Sequence, residues 1–247
     1  FAGGTVIHIN AGAAAVAAAI LVGRRKNPGL QSNNIPYVVL GASILWFGWF
    51  GFNGGSALAA DDYAVNAMLV TQIAAGTAAT VWGLIGLVST NKVSAVGVAT
   101  GAVAGLVAIT PAAGAVNALG ALAIGAGAGV FCYFAVEFIH RTNLDDALDV
   151  FAVHGVGGIW GCIATGIFAL EHIAGVKGLV EGDATQVWIQ IYTAAGTLAY
   201  SFIMSFAILF ILNKIPGLEL RSSEPEEDSG LDLTSHGEQA FVRDGAD

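Results

Sequence analysis

The stretch Asp149-Val-Phe-Ala-Val-His-Gly-Val-Gly-Gly-Ile-Trp-Gly-Cys-Ile-Ala-Thr-Gly-Ile-Phe-Ala-Leu170 decides how this chain is read. After Asp149 it runs twenty-one residues without a formal charge, about the length that crosses a bilayer as a helix. Yet it carries an ionisable His154 about one turn inside its start. A polar group in hydrocarbon is costly, so it lines a passage or is paired. The chain opens with a second case, Phe1-Ala-Gly-Gly-Thr-Val-Ile-His-Ile-Asn10, where His8 plays the same part.

Composition carries the reading outward. Apolar residues make up 55% and charged residues 11% of the 247, and the mean hydropathy is +0.72. A water-facing domain carries about 25% charged residues, so the surplus apolar surface faces lipid. Lipid admits helices or closed barrels, and the long unbroken runs lack the alternation of barrel strands. The expected class is an all-α polytopic membrane protein. The net charge of −9 is concentrated in residues 217–247, which hold nine acids and two bases. Cys132 and Cys162 fall inside apolar runs and read as small buried residues.

Charge, Pro and Asn breaks divide the chain into seven segments, roughly 3–22, 36–59, 65–88, 94–110, 115–139, 149–170 and 186–212. The fourth is short, stopped by Pro111. Lys and Arg set the orientation. One set of joins, with the C-terminal end, holds Arg24, Arg25, Lys26, Lys92, Arg141, Lys214, Arg221 and Arg243, and the opposite set only Lys177. That bias puts the C-terminus in the cytoplasm. The expected division is a membrane bundle over 1–214 and a cytoplasmic regulatory tail over 215–247. Small residues four apart (Gly101 and Gly105, Gly125 and Gly129, Gly157 and Gly161) predict close helix packing. Phe1 stands at the edge of an apolar segment without an initiator Met, so the chain is expected to be the C-terminal part of a longer protein or a processed chain.

Three sets of residues are candidates for chemistry. Trp49, Phe52 and Ser56, spaced i, i+3 and i+7, share one helical face near the outer end of the second segment. Aromatic faces can return ~2 kcal/mol or more to a desolvated cation, and Ser56 can accept a hydrogen bond. The competing reading is an ordinary packing stripe. His8 and His154 form the second set: structural groups if taken singly, but together in otherwise small or apolar spans they suggest one shared site. Desolvation favours the uncharged imidazole, which donates, accepts or relays a proton. A metal site lacks a third ligand in the spans, and no cofactor is expected. The third set is Asp145, Asp146 and Asp149, which would cap or flank a helix N-terminus. Glu137 and Arg141 read as an i, i+4 pair. His140 and His172 lie in loops, where solvation is the default. The tail is either disordered or docked through Gly230–Phe241, with Ser235 and Glu238 as a capping box.

Four stretches resemble signatures of the Amt/Mep/Rh ammonium transporters, and most closely their prokaryotic Amt branch. They are Phe1–His8, Trp49-Phe-Gly-Phe-Asn-Gly-Gly-Ser56, Asp149-Val-Phe-Ala-Val-His-Gly155 and Leu231-Asp-Leu-Thr-Ser-His-Gly-Glu238. The resemblance implies an eleven-helix fold of two inverted five-span repeats plus a final span, assembled as a homotrimer in the cell (inner) membrane. This chain would supply seven transmembrane helices of it, spans five to eleven, and the tail. By matched motif positions, His8 and His154 correspond to the paired pore histidines. Phe52 matches one of two stacked gate phenylalanines, Trp49 a pore-adjacent tryptophan, and Ser56 the hydroxyl of the outer substrate site. The loop holding Asp145, Asp146 and Asp149 would be regulatory, with Leu231, Asp232, His236, Gly237 and Glu238 of the tail docking nearby, on the face where PII-type signalling proteins bind. The second gate phenylalanine, the recruitment tryptophan and an acidic residue would lie upstream of Phe1, so the chain alone should not form a working pore.

The implied activity is transport of ammonium, with methylammonium as analogue, and not an enzymatic reaction. Ammonium would give up its proton at the outer site and cross as ammonia past the histidines. A sensor using the same fold and signalling through its tail is the alternative, and a neutral-solute channel is a further one.

Overall fold

The computed structural model describes residues 1–29 and 32–239. Among the described residues seven helices are long and apolar enough to cross a membrane: Gly4–Val22, Ile35–Gly55, Asp62–Thr90, Ala95–Ala112, Ala118–Ile139, Phe151–Phe168 and Thr185–Leu212, here the first to seventh spans. Among the described residues there is no strand. The all-helical reading and the number of spans therefore hold.

Boundaries follow from local chemistry. Asn34, Asp61, Ser94 and Asn117 stand in extended conformation before spans two to five, and each side chain accepts from backbone N–H groups of the first turn. The Asp61 cap starts the third span at Asp62, three residues before the expected 65. The second span ends at Gly55, where the expected segment ran to 59. Pro111 does not stop the fourth span. It lies in a 3₁₀ turn, Thr110–Ala112, that continues the helix, because an early position in a helical turn needs no N–H.

The fourth span is the central one: two thirds (67%) of its most apolar window is buried, against 6% for the second and seventh. Small residues make this possible. Ala67, Ala74 and Ala78 of the third span pack with Ala108, Ala112, Ala121 and Ala128 around Ile109 and Ile124. The paired glycines of the fourth and fifth spans both face this alanine row: a Cβ on Gly105 or on Gly125 would lie 2.5 Å from the Ala74 carbonyl oxygen. Helices brought this close in lipid gain dispersion contacts where little hydrophobic driving force is available. The first span lies against the sixth and seventh. Cys132 and Cys162 are buried free thiols within this packing, as composition suggested.

The tail is folded where it is described. Glu224–Ser229 forms a short helix with a capping box between Ser223 and Glu226. The box expected at Ser235 and Glu238 does not form, because Ser235 lies inside a π turn, Asp232–His236, closed by left-handed Gly237. Phe241 and Arg243 lie outside the described residues.

Candidate functional site

His8 and His154 meet. Their Nδ1 atoms are 3.1 Å apart, with ring centroids 5.3 Å apart. One Nδ1 must donate and the other accept, so the two neutral rings hold opposite tautomers. His8 is 2% exposed, and its Nε2 is buried with no hydrogen-bond partner among the described residues. Both rings sit in π segments, Gly4–Ile9 and Phe151–Gly155, at the starts of the first and sixth spans. A π segment inserts a residue into the helical turn and re-aims the side chains around it. Fourteen residues separate His8 from Val22 and His154 from Phe168. With these spans running in opposite senses, each ring stands roughly 20 Å from a different end of the bundle. That is near mid-depth.

Close backbone approach brings the rings together. A Cβ on Gly12 would lie 2.4 Å from Gly155 Cα, so the first and sixth spans touch backbone to backbone one turn beyond His8 and one residue beyond His154. One turn along the sixth span, a Cβ on Gly158 would meet Ile9 and His8 side-chain atoms at 3.0–3.2 Å.

Aromatic rings wall the pair. Trp49 stacks on His8 at 5.4 Å, nearly parallel, and Phe52 meets His8 edge-on at 6.0 Å and Trp49 edge-on at 5.4 Å. Trp49 Nε1 donates to Thr110 Oγ1 at 2.9 Å, and Thr110 Oγ1 in turn donates to the Leu106 carbonyl. Next to Phe52, fully buried Asn53 donates to Thr71 Oγ1 at 2.8 Å, which ties the second span to the third. Ser56 Oγ donates to the Phe52 carbonyl at 2.7 Å. Its proton is thereby occupied and its lone pairs remain able to accept. Thr110, Asn53 and Thr71 were not singled out from sequence, although an Asn inside an apolar run is itself a signal.

The acidic loop divides its labour. Asp145 takes Arg25 in a two-point ion pair at 2.8 Å and also accepts from the Arg25 backbone N–H. Those Arg25 hydrogen bonds hold its carboxyl below the ordinary 3.8. Asp146 alone caps the sixth span, accepting from Val150 and Phe151 N–H at 2.9 and 2.7 Å. Asp149, at φ 55°, pairs with His140 Nε2 at 2.7 Å, so His140 is not simply solvated. Its partial burial outweighs the histidine and raises the Asp149 pKa. Glu137 and Arg141 form the expected i, i+4 contact at 3.5 Å.

Of the expected docking residues Leu231 meets the bundle, while the polar contacts come from residues that were not expected. Arg221 Nη1 donates to the Arg24 carbonyl at 2.7 Å, the Lys26 backbone N–H donates to Glu227, and Lys26 Nζ pairs with Asp228 at 2.6 Å. Leu231 lines a cavity of about 330 Å³ with Val22, Gly23, Arg25 and Arg221. Among the described residues, Asp232, Gly237 and Glu238 have hydrogen bonds only within the tail, and His236 makes no side-chain hydrogen bond or ion pair with the bundle. Arg24, Arg25 and Lys26 stand between the tail and the Asp145 loop: the Arg24 and Arg25 side chains take Asn143 and Asp145, while the Arg24 carbonyl and Lys26 take Arg221, Glu227 and Asp228.

Comparison with known proteins bears on the family. The model of the Ammonium Transporter Family matches residues 1–241. An ammonium transporter of Aquifex aeolicus is 50% identical over 98% of this chain and 56% of its own length. Ammonium transporter Amt1 of Archaeoglobus fulgidus is 44% identical over 98% and 62%. The crystal structure of Candida albicans Mep2 superposes with a TM-score of 0.86 at 36% identity, covering 92% of this chain and 53% of that one. A solved structure described as a sensor Amt protein gives 0.84 at 36%, covering 95% and 59%. The chain thus spans a little over half the length of these relatives. Match and superposition together place it: this chain belongs to the ammonium transporter family.

Proposed function

We propose that this chain carries the histidine-lined half of a pore that moves ammonium across the cell (inner) membrane as ammonia. The observation that supports this most is the 3.1 Å contact between His8 and His154 at mid-depth, roofed by Trp49 and Phe52. Moving a full charge into so apolar a passage costs on the order of 20 kcal/mol by an idealised Born estimate. Ammonium avoids most of that by leaving a proton behind, which potassium cannot do. The unpartnered His8 Nε2 offers a hydrogen bond to a small neutral amine. Ser56 accepts from the arriving ammonium, and Trp49 and Phe52 face it as it sheds water.

The rest of the site follows from this reading. Residues 1–214 form the membrane part and residues 215–247 a cytoplasmic regulatory tail, in line with the Lys and Arg bias. The assembly is a homotrimer whose N-terminal spans complete each pore. The Asp145, Asp146 and Asp149 loop with the docked tail forms the face for a PII-type partner. The test replaces both histidines with leucine in the full-length protein. Labelled methylammonium uptake into proteoliposomes is expected to fall about tenfold or more, or potassium to compete; a tenfold fall corresponds to losing ~1.4 kcal/mol at the barrier. Unchanged uptake and unchanged selectivity would remove the role. A sensor is the second reading, favoured by the docked tail and the likeness to a sensor Amt protein. It predicts ammonium binding without flux into the same liposomes.

A further inference from the structure

The seventh span is almost entirely turned outward, yet it buries one hydroxyl: Ser201 is 3% exposed. Its Oγ donates to the Asn10 backbone carbonyl at 2.8 Å and is shared with the Asn10 side-chain oxygen. Asn10 follows His8 by two residues and closes the π segment that carries it. Its backbone N–H bonds to Thr5 and Ile7 carbonyls, five and three residues back. The Val6 carbonyl, four residues back and its ordinary α-helical acceptor, is passed over. Asn10 Nδ2 reaches back to that carbonyl at 3.2 Å. The side-chain amide thus replaces the backbone donor that the π turn diverts.

This is a specific device. Val6 is exposed on this face of the bundle, but within a membrane span no water reaches its carbonyl, and one left unmatched in hydrocarbon costs several kcal/mol, so a π turn there needs a substitute donor or it relaxes. If the turn relaxes to α register, the side chains before it swing by about 100°, the angle of one residue in an α-helix. His8 then no longer faces His154. The sixth span holds its own histidine differently: its π segment is met by Cys132, whose Sγ approaches the Val153 carbonyl at 3.9 Å.

We propose that Asn10 and Ser201 are positioning residues for His8. Asn10 completes the π turn, and Ser201 fixes the Asn10 side chain from the seventh span. The direction in which His8 points is therefore set in part from the seventh span, whose Ala194 and Leu198 also pack with Ile9. The inference rests on the pore-histidine reading for its functional consequence, but its structural part stands apart from that reading.

The test uses full-length protein in membranes with ¹⁵N-labelled histidine. A solid-state NMR correlation between the two Nδ1 atoms reports their contact, and methylammonium uptake reports function. Ser201→Ala is expected to weaken or abolish that correlation and to lower uptake about fivefold, the scale of one lost hydrogen bond, with an unchanged size-exclusion profile. Asn10→Ala, which also removes the substitute donor, is expected to do more. Ser201→Thr keeps the hydroxyl and is expected to restore both signals. A correlation unmoved in Ser201→Ala overturns the proposal even if uptake falls, and so does a Ser201→Thr protein that behaves like Ser201→Ala. Should double histidine replacement leave transport intact, the pore reading fails alone, and the NMR result still judges the positioning.

Discussion

Adding one methyl group at Gly12 tests the geometry on which the histidine contact depends. An alanine Cβ there would lie 2.4 Å from Gly155 Cα and 2.6 Å from Gly155 N, both backbone atoms that cannot swing aside. Carbon atoms rest at about 3.5–4.0 Å, so the first and sixth spans must part by roughly 1 Å at the crossing. The Nδ1 atoms, 3.1 Å apart beside this crossing, then pass beyond hydrogen-bonding distance. Overpacking of this kind costs about 1–3 kcal/mol, set against the ~0.5–1 kcal/mol that alanine gains over glycine in a helix. Gly196→Ala in the seventh span is the matched control, because its Cβ meets nothing within 4 Å of this chain. The assays are thermal unfolding of the full-length protein in detergent and methylammonium uptake into proteoliposomes. Gly12→Ala is expected to melt earlier and to lose most of its uptake, while Gly196→Ala holds or gains stability. If Gly12→Ala matches the control in both, the backbone contact does not set the histidine spacing, and the account of the site is wrong.

Other outcomes follow from particular bonds. Thr110→Val takes the acceptor from Trp49 Nε1, leaving a buried donor unmatched at a cost of about 1–3 kcal/mol. A lower melting temperature with a changed near-UV signal is expected, and an unaltered spectrum would mean the Trp49 stack on His8 is held otherwise. The tail contacts depend on carboxylates held below their ordinary values: Glu227 below 4.5, chiefly by the Lys26 N–H, and Asp145 below 3.8 by Arg25. Because the folded pKa lies below the unfolded one, their contribution is complete at neutral pH and is lost as pH falls through the folded values. Hydrogen-exchange protection factors over 221–229, corrected for the pH dependence of intrinsic exchange, should therefore hold from pH 7 to 5 and fall as pH drops below the ordinary values of 4.5 and 3.8. Protection factors that vanish above pH 6 would contradict these pairs.

Much was legible in the chain before folding because it rests on one-dimensional facts. Seven spans follow from apolar runs bounded by charge, Pro and Asn, since bilayer thickness converts length directly into topology. His8 and His154 stand out because an imidazole in hydrocarbon demands a reason. Trp49 and Phe52 share a face because helical period is local. The tail was harder. Its acidic composition fits both solvation and docking, and which carboxylates reach Arg221 and Lys26 depends on what else stands in the way.

Tertiary structure alone decided the rest. Nothing in the spacing of Gly12 and Gly155, 143 positions apart, says that their backbones touch. Nor does it say that two π turns aim the histidines at each other, or that Asn10 finds its partner in Ser201 on the last span. Those are relations between helices, set by shape at contacts of 2.8 to 3.1 Å and at a crossing so close that one added methyl group changes the answer. Sequence periodicity determines which face a residue occupies, and only packing determines what that face meets.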